Sequence, residues 1–185
     1  EQKNAYEELS RSLNEKSFSV HLLHGVTGCG KTEIYIRCIE KTIRLGRQAI
    51  VMVPEISLTP QTVDLFRRRF GDRVAILHSG LSKVDRYLEW KKILDDQVSI
   101  AVGARSAVFA PFTRLGLIII DEEHDSSYKQ DCSPRYHARD TAIVRAREAG
   151  LTVVLGSATP SLESRRNAEI GKYSYLEIKK RVPNR

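Results

Sequence analysis

Eight residues, Gly25-Val26-Thr27-Gly28-Cys29-Gly30-Lys31-Thr32, constrain the fold of this chain more than any other stretch. They satisfy G-x-x-x-x-G-K-S/T. An apolar run, Val20-His21-Leu22-Leu23, leads in, and a helical pattern leads out from Thr32. A strand, a glycine loop and a helix in that order are the setting a phosphate-binding loop requires. The glycines let several backbone N–H groups converge, and the helix start adds a partial positive charge. Gly25, Thr27, Gly28, Cys29 and Gly30 then form a nucleotide cradle. Lys31 reaches the β- and γ-phosphates, and the Thr32 hydroxyl ligates Mg²⁺. An ordinary glycine turn is the competing reading.

The rest of the chain repeats the alternation. Apolar, strand-like runs fall at 20–23, 49–53, 74–77, 98–102, 117–120, 152–155 and 173–178. Helical spacing occupies 31–44, 60–70, 83–94 and 139–149, and a short amphipathic helix covers 5–13. Gly46, Gly71 and Gly150 stand where helix C-terminal caps belong. This pattern predicts an α/β fold of three layers, with a mainly parallel central sheet flanked by helices. With no repeat, linker or low-complexity tract, residues 1–185 read as one domain.

Two of the strand-like runs end in chemistry. Leu117-Ile118-Ile119-Ile120 is a buried central strand by composition, and Asp121-Glu122-Glu123-His124 follows it. Open parallel sheets bind ligands at the carboxyl ends of their strands. Asp121 there would hold Mg²⁺, and Glu122 would orient or deprotonate an attacking water. The alternative is a solvated acidic turn. Val153-Val154-Leu155 runs into Gly156-Ser157-Ala158-Thr159-Pro160; its hydroxyls either cap a helix near Ser161 or belong to the site.

Together the three segments resemble motifs I, II and III of superfamily 2 helicases, and the phosphate loop makes the domain a RecA-like lobe. The D-E-E-H form of the second motif is similar to the PriA-type family of replication-restart helicases. Val53-Pro54-Glu55-Ile56-Ser57-Leu58-Thr59-Pro60-Gln61, His78-Ser79-Gly80-Leu81, Gly103-Ala104-Arg105-Ser106-Ala107, the segment 125–130 and Arg135-Tyr136-His137-Ala138-Arg139-Asp140 carry the same resemblance. It covers nearly the whole chain, with one departure. Cys29 stands where the family usually has serine, which would make the loop sensitive to alkylation.

That resemblance implies an ATP-dependent 3′-to-5′ DNA helicase acting in restart of stalled forks and primosome assembly, with ATP and Mg²⁺ as cofactors. Lys31, Glu122 and His124 would be its catalytic residues. Ser157 and Thr159 would hydrogen-bond the acidic motif and link the γ-phosphate state to DNA grip. Gln2 would read the adenine edge, unless it belongs to a frayed terminus. Pro54, Thr59, Gly103, Arg105 and Ser106 would track the single-stranded DNA backbone. Thr59 also suits the N-cap of a proline-initiated helix. The polar segment 125–140 corresponds to an aromatic-rich loop that couples DNA binding to hydrolysis. Tyr128 would carry the coupling, with Lys129 and Tyr136 at the DNA. Its competing reading is that Tyr128 and Tyr136 pin the loop to the core.

The implied partners are single-stranded and forked DNA, other primosome proteins and single-stranded-DNA-binding protein. A second motor lobe, a zinc region and an amino-terminal DNA-binding region are expected outside this chain. A formal net charge of +7 suits a polyanion. Cys29, Cys38 and Cys132 form no C-x-x-C pair. Reduced thiols, no zinc in this segment and a cytoplasmic location are expected. No apolar run is long enough to predict a membrane span. The rival class is a nucleotide-gated DNA-binding module without productive turnover. Glu122 weighs against it, since a pure sensor has no need of a hydrolytic base.

Overall fold

The computed structural model describes residues 1–181. The first half of the chain alternates α1 (Gln2–Glu15), β1 (Ser19–Gly25), α2 (Lys31–Arg44), β2 (Gln48–Met52), α3 (Pro60–Phe70), β3 (Val74–Leu77) and α4 (Lys83–Leu94). Then follow β4 (Ile100–Gly103), β5 (Leu115–Ile120), β6 (Lys129–Gln130), β7 (Tyr136–His137), α5 (Ala138–Ala149), β8 (Thr152–Ser157), α6 (Leu162–Glu169) and β9 (Ser174–Ile178).

Seven strands form one sheet in the order β3-β4-β2-β5-β8-β1-β9, and every neighbouring pair is parallel. Side chains alternate across the sheet with the period of two that a pleated strand imposes. Ala49, Val51, Leu117, Ile119 and Val154 enter the core under α1, α2 and α3. Ile50, Met52, Ile118, Ile120, Val153 and Leu155 enter the core on the opposite face, with Ile93 of α4 and Ala142 and Ala146 of α5. Each fully buried Leu or Ile contributes about 1.5–3 kcal/mol, so β2, β5 and β8, covered on both faces, anchor the sheet. The register sets His24 beside Ser157 and Ile120 beside Met52 and Leu155. The carboxyl ends of β1, β2, β5 and β8 therefore meet along one rim.

Helix ends follow local chemistry. The Thr59 side chain accepts the Thr62 N–H at 3.3 Å with Pro60 in the first turn, and α3 closes on Gly71 at φ 62°. Helix α1 extends beyond the amphipathic stretch 5–13, back to Gln2. Its start is tied down, because the Glu1 carboxylate accepts the N–H groups of Lys179 and Lys180 at 2.9 and 3.1 Å. On the edge strand β3, the Ile76 N–H donates to Glu89 of α4 at 2.9 Å, which removes an open donor from a sheet edge. Arg67, Arg68 and Arg69 lie exposed on α3. Among the described residues no helix is long and apolar enough to cross a membrane.

The segment 125–140 departs from the expected irregular loop. It contains a tight turn at Ser126–Tyr128 and the antiparallel pair β6 and β7, in which Lys129 faces His137 and Gln130 faces Tyr136. Strands of two residues carry no periodicity that a sequence can display.

Candidate nucleotide and nucleic-acid site

Strand β1 delivers Gly25 to the rim, and α2 begins six residues later at Lys31. Between them Gly28 and Gly30 adopt φ of 79° and 90°, conformations that cost a side-chain-bearing residue energy. The Cys29 N–H donates to Val26 O at 3.1 Å and tightens the turn. The first N–H groups of α2 have no intrahelical acceptors, so they and the helix dipole favour an anion here. Lys31 is buried, and its Nζ donates to Gly25 O at 2.6 Å. Thr27 and Thr32 are exposed on the rim.

Gln2 is not a frayed terminal residue. Its Nε2 donates to Cys29 O at 2.6 Å, joining α1 to the phosphate loop. Cys29 also corrects an expectation. Its thiol is fully buried, and a Cβ at Gly25 would come within 2.5 Å of Sγ. The sulfur thus fills the core beneath the loop, which removes the basis for alkylation there. The exposed thiol is that of Cys132.

Asp121 follows β5 and is held from three sides. Its N–H donates to Met52 O at 2.8 Å, Oδ1 accepts the Tyr35 hydroxyl at 2.9 Å, and its carbonyl accepts the Tyr128 hydroxyl at 2.7 Å. Burial raises the Asp121 pKa against the opposing Tyr35 hydrogen bond. Burial and the Asp121 charge push the Tyr35 hydroxyl well above the ordinary tyrosine range, so it stays a donor. Glu122 sits at φ 45°, in the left-handed region where a residue with a Cβ carries strain of order 1–3 kcal/mol. Its carboxylate is partly exposed, 3.7 Å from His124 Nδ1.

His124 joins the acidic segment to the end of β8. Its Nδ1 lies 2.8 Å from Ser157 Oγ and its Nε2 3.3 Å from Thr159 Oγ1. Ser157 Oγ also accepts the Thr159 N–H at 2.9 Å. Glu123, to which sequence reasoning gave no role, is fully buried. It accepts from Ser161 N–H at 2.7 Å, Ser161 Oγ at 3.1 Å, Ser164 Oγ at 2.8 Å and Arg139 Nη1 at 3.0 Å. A buried carboxylate is tolerable only with partners of this kind. Here they clamp the acidic turn to α5 and α6. The sequence signals were a third acidic residue in the box and Arg139 at a helix start. Tyr35 was also unassigned, although it lies one helical turn beyond Lys31 on the same face.

Of the nucleic-acid candidates, Pro54, Gly103, Arg105 and Ser106 stand at or just past the ends of β2 and β4, whereas Thr59 caps α3 and Lys129 and Tyr136 lie in β6 and β7. Pro54 leads into a short turn, Glu55–Ser57, and Gly103 O accepts the Val53 N–H at 3.0 Å. A polar cavity of about 140 Å³ lies between these ends, lined by Glu55, Ser79, Arg86, Arg105, Ser106 and Tyr136 among others. Ile56, next in sequence to Glu55, is 85% exposed. Lys129 is exposed and pairs with Asp131 at 3.1 Å. Tyr136 is half-buried, edge-on to Phe109 with centroids 5.1 Å apart. Arg105 faces inward as well as outward, since its Nη1 donates to Ser127 O at 3.2 Å and Lys129 O at 2.6 Å. Tyr128 has no exposed surface, so its ring cannot stack on a base. It pins the segment to Asp121.

The sequence profile described as DEAD/DEAH box helicase matches residues 1–168. The chain is 57% identical over 185 residues to the replication restart protein PriA of Bacillus subtilis (strain 168), covering 100% of this chain and 23% of that protein. Its identity to the replication restart protein PriA of Haemophilus influenzae is 52% over 175 residues, or 95% of this chain and 24% of that one. The chain therefore spans about a quarter of the length of these curated relatives. Among solved structures, RecG bound to a three-way DNA junction superposes with a TM-score of 0.72 at 23% identity, over 100% of this chain and 24% of RecG. The Pyrococcus furiosus Hef helicase domain gives 0.65 at 19% identity, over 98% and 38%. Both share the fold.

Proposed function

This chain belongs to the DEAD/DEAH box helicase family, and from that premise we propose that it is the ATP-binding motor lobe of an ATP-dependent DNA helicase. In this reading the whole protein translocates 3′ to 5′ on single-stranded and forked DNA and restarts stalled replication forks. Primosome proteins and single-stranded-DNA-binding protein are its partners, and it works in the cytoplasm. The relatives' name, replication restart protein PriA, supports the role. A second lobe, a zinc region and a further DNA-binding region belong to the remainder of such a protein.

The observation that carries the reading is the hydrogen-bonded contact of three segments distant in sequence. Lys31 and Tyr35 lie on α2 after β1, Asp121, Glu122 and His124 follow β5, and Ser157 and Thr159 close and follow β8; Tyr35 donates to Asp121, and His124 bonds both hydroxyls. The residues present fit a magnesium nucleotide. The amides of Gly28, Gly30, Lys31 and Thr32 would face the phosphates, Lys31 would turn its Nζ from Gly25 O toward them, and Thr32 with Asp121 would hold the metal, Oδ1 of Asp121 being fixed by Tyr35. When bound, Mg²⁺ neutralises charge on the β- and γ-phosphate oxygens. Gly25, Thr27 and Cys29 shape the loop, and Gln2 sets its position while meeting the adenine edge. Glu122 orients the attacking water and takes its proton. His124, Ser157 and Thr159 carry the nucleotide state away from the acidic turn. Pro54, Thr59, Gly103, Arg105, Ser106, Lys129 and Tyr136 present hydroxyls, amides and cations to the DNA backbone.

The test is ATP hydrolysis by the complete protein, with and without single-stranded DNA, beside Glu122→Gln. The expected result is strong DNA stimulation in the native protein and a loss of about 10²–10⁴-fold in the variant, the range for removing a general base. Nucleotide binding without DNA-stimulated turnover would leave the gated binding module as the function.

A further inference from the structure

Arg105 lies at the end of β4, and the acidic turn lies at the end of β5, two strands away in the sheet. A short covalent and hydrogen-bonded path nevertheless joins them. Arg105 Nη1 donates to the carbonyls of Ser127 and Lys129, which flank Tyr128. Tyr128 is fully buried, and its hydroxyl donates to the carbonyl of Asp121. Upstream, the Asp125 side chain accepts the Ser127 N–H at 2.8 Å, so the turn between the two ends is closed as well.

We infer that Arg105 is a positioning residue for hydrolysis as well as a phosphate contact: it fixes the Ser127–Lys129 backbone and thereby sets the Asp121 main chain through Tyr128. The inference rests on the proposed motor function. A guanidinium carries five donors in a fixed fork. One nitrogen holds the two carbonyls, and Arg105 also lines the polar cavity with Ser106 and Tyr136. A DNA phosphate binding there adds a charge-assisted hydrogen bond on the open side of the same planar group. The orientation of the guanidinium, and with it the segment carrying Tyr128, then depends on whether the strand is present. Tyr128 transmits that difference without touching DNA, in keeping with its burial.

The test uses the complete protein and separates binding from turnover. DNA-stimulated ATPase is titrated with an oligonucleotide for the native protein, Arg105→Ala, Tyr128→Phe and the double variant. Tyr128→Phe keeps the buried ring and removes only the bond to Asp121. The inference expects both single variants to lower the rate at saturating DNA by about five- to tenfold, the usual scale of coupling through a packed network. The double variant should lose no more than the worse single one. Arg105→Ala should also raise the DNA concentration for half-maximal stimulation; Tyr128→Phe should not. An Arg105→Ala protein that reaches the native rate at saturating DNA would overturn the inference and leave a plain phosphate contact, and so would effects that multiply in the double variant. A native protein with no DNA stimulation would instead overturn the motor reading itself.

Discussion

Asp121 shows how a single residue at this site trades stability for chemistry. Its carboxyl is half-buried at the end of β5, and that burial raises its pKa although Tyr35 donates to it. A raised native pKa means that the folded chain holds this proton more tightly than the unfolded chain does. The resulting stabilisation is complete below the ordinary carboxylate value, about 4, and is lost as pH rises through the raised native value. At neutral pH the ionised group is therefore a burden on the fold. Asp121→Asn removes the charge and keeps an oxygen for Tyr35. We expect the variant of this chain to melt higher than the native chain at about pH 7.5, each 1 kcal/mol appearing as about 2–4 °C. The advantage should shrink as pH falls and the native carboxyl takes up its proton. A variant that melts lower at neutral pH would show that the Tyr35 bond outweighs desolvation. The carboxylate itself was readable from the sequence, because a hydrolytic site needs an acid at a strand end. Glu123 was not, since its role depends on Ser161, Ser164 and Arg139, which only the fold brings to it.

Helix α2 and strand β8 approach so closely that one of them must give up a side chain. At Gly156 an added Cβ would lie 1.7 Å from the Tyr35 hydroxyl oxygen and 2.9 Å from the ring carbon bearing it. Glycine at this position lets α2 lie flat on the sheet with Tyr35 against Asp121. Gly156→Ala should destabilise this chain by about 1–3 kcal/mol, the cost of overpacking a dense core, and should displace Tyr35 from Asp121. Tyr35→Phe removes the nearest clashing atom, so the double variant should lose less than the sum of the two single losses. Thermal melts of the four chains measure that difference, and strictly additive losses would locate the strain elsewhere. Elements of this kind were legible to different degrees. Long apolar runs such as Leu117 to Ile120 declared themselves as strands, because burial on both faces demands unbroken hydrophobicity. The pair β6 and β7 did not. It is held by Arg105 and Tyr128 from outside its own sequence, and no local pattern encodes such support.

At the scale of the whole molecule the parallel sheet collects its chemistry on one rim, where Gly25, Asp121, Ser157 and the Arg105 turn meet. The fold was legible because the phosphate loop and the strand–helix alternation each require a parallel sheet, and they agree. The joint action of the rim was less so, since residues 24 and 157 become neighbours only through register. On the proposed reading, this rim supplies the phosphate cradle, the metal carboxylate and the water-activating base. Compensation of the charge developing on the γ-phosphate oxygens then falls largely to an arginine of the second lobe, a contribution worth about 10³-fold or more in comparable phosphoryl transfers. The 185-residue chain by itself should accordingly bind ATP weakly and turn it over at least about 10³-fold more slowly than the complete protein saturated with DNA. DNA should stimulate that residual rate by no more than about five- to tenfold, because Arg105 and Tyr128 can order Asp121 but cannot supply the missing cation. Steady-state hydrolysis by both proteins, with and without oligonucleotide, decides the point. Turnover by the short chain within tenfold of the complete protein would place every catalytic cation on this lobe, and Lys31, buried beneath the loop with its ammonium on Gly25 O, would be the first to examine.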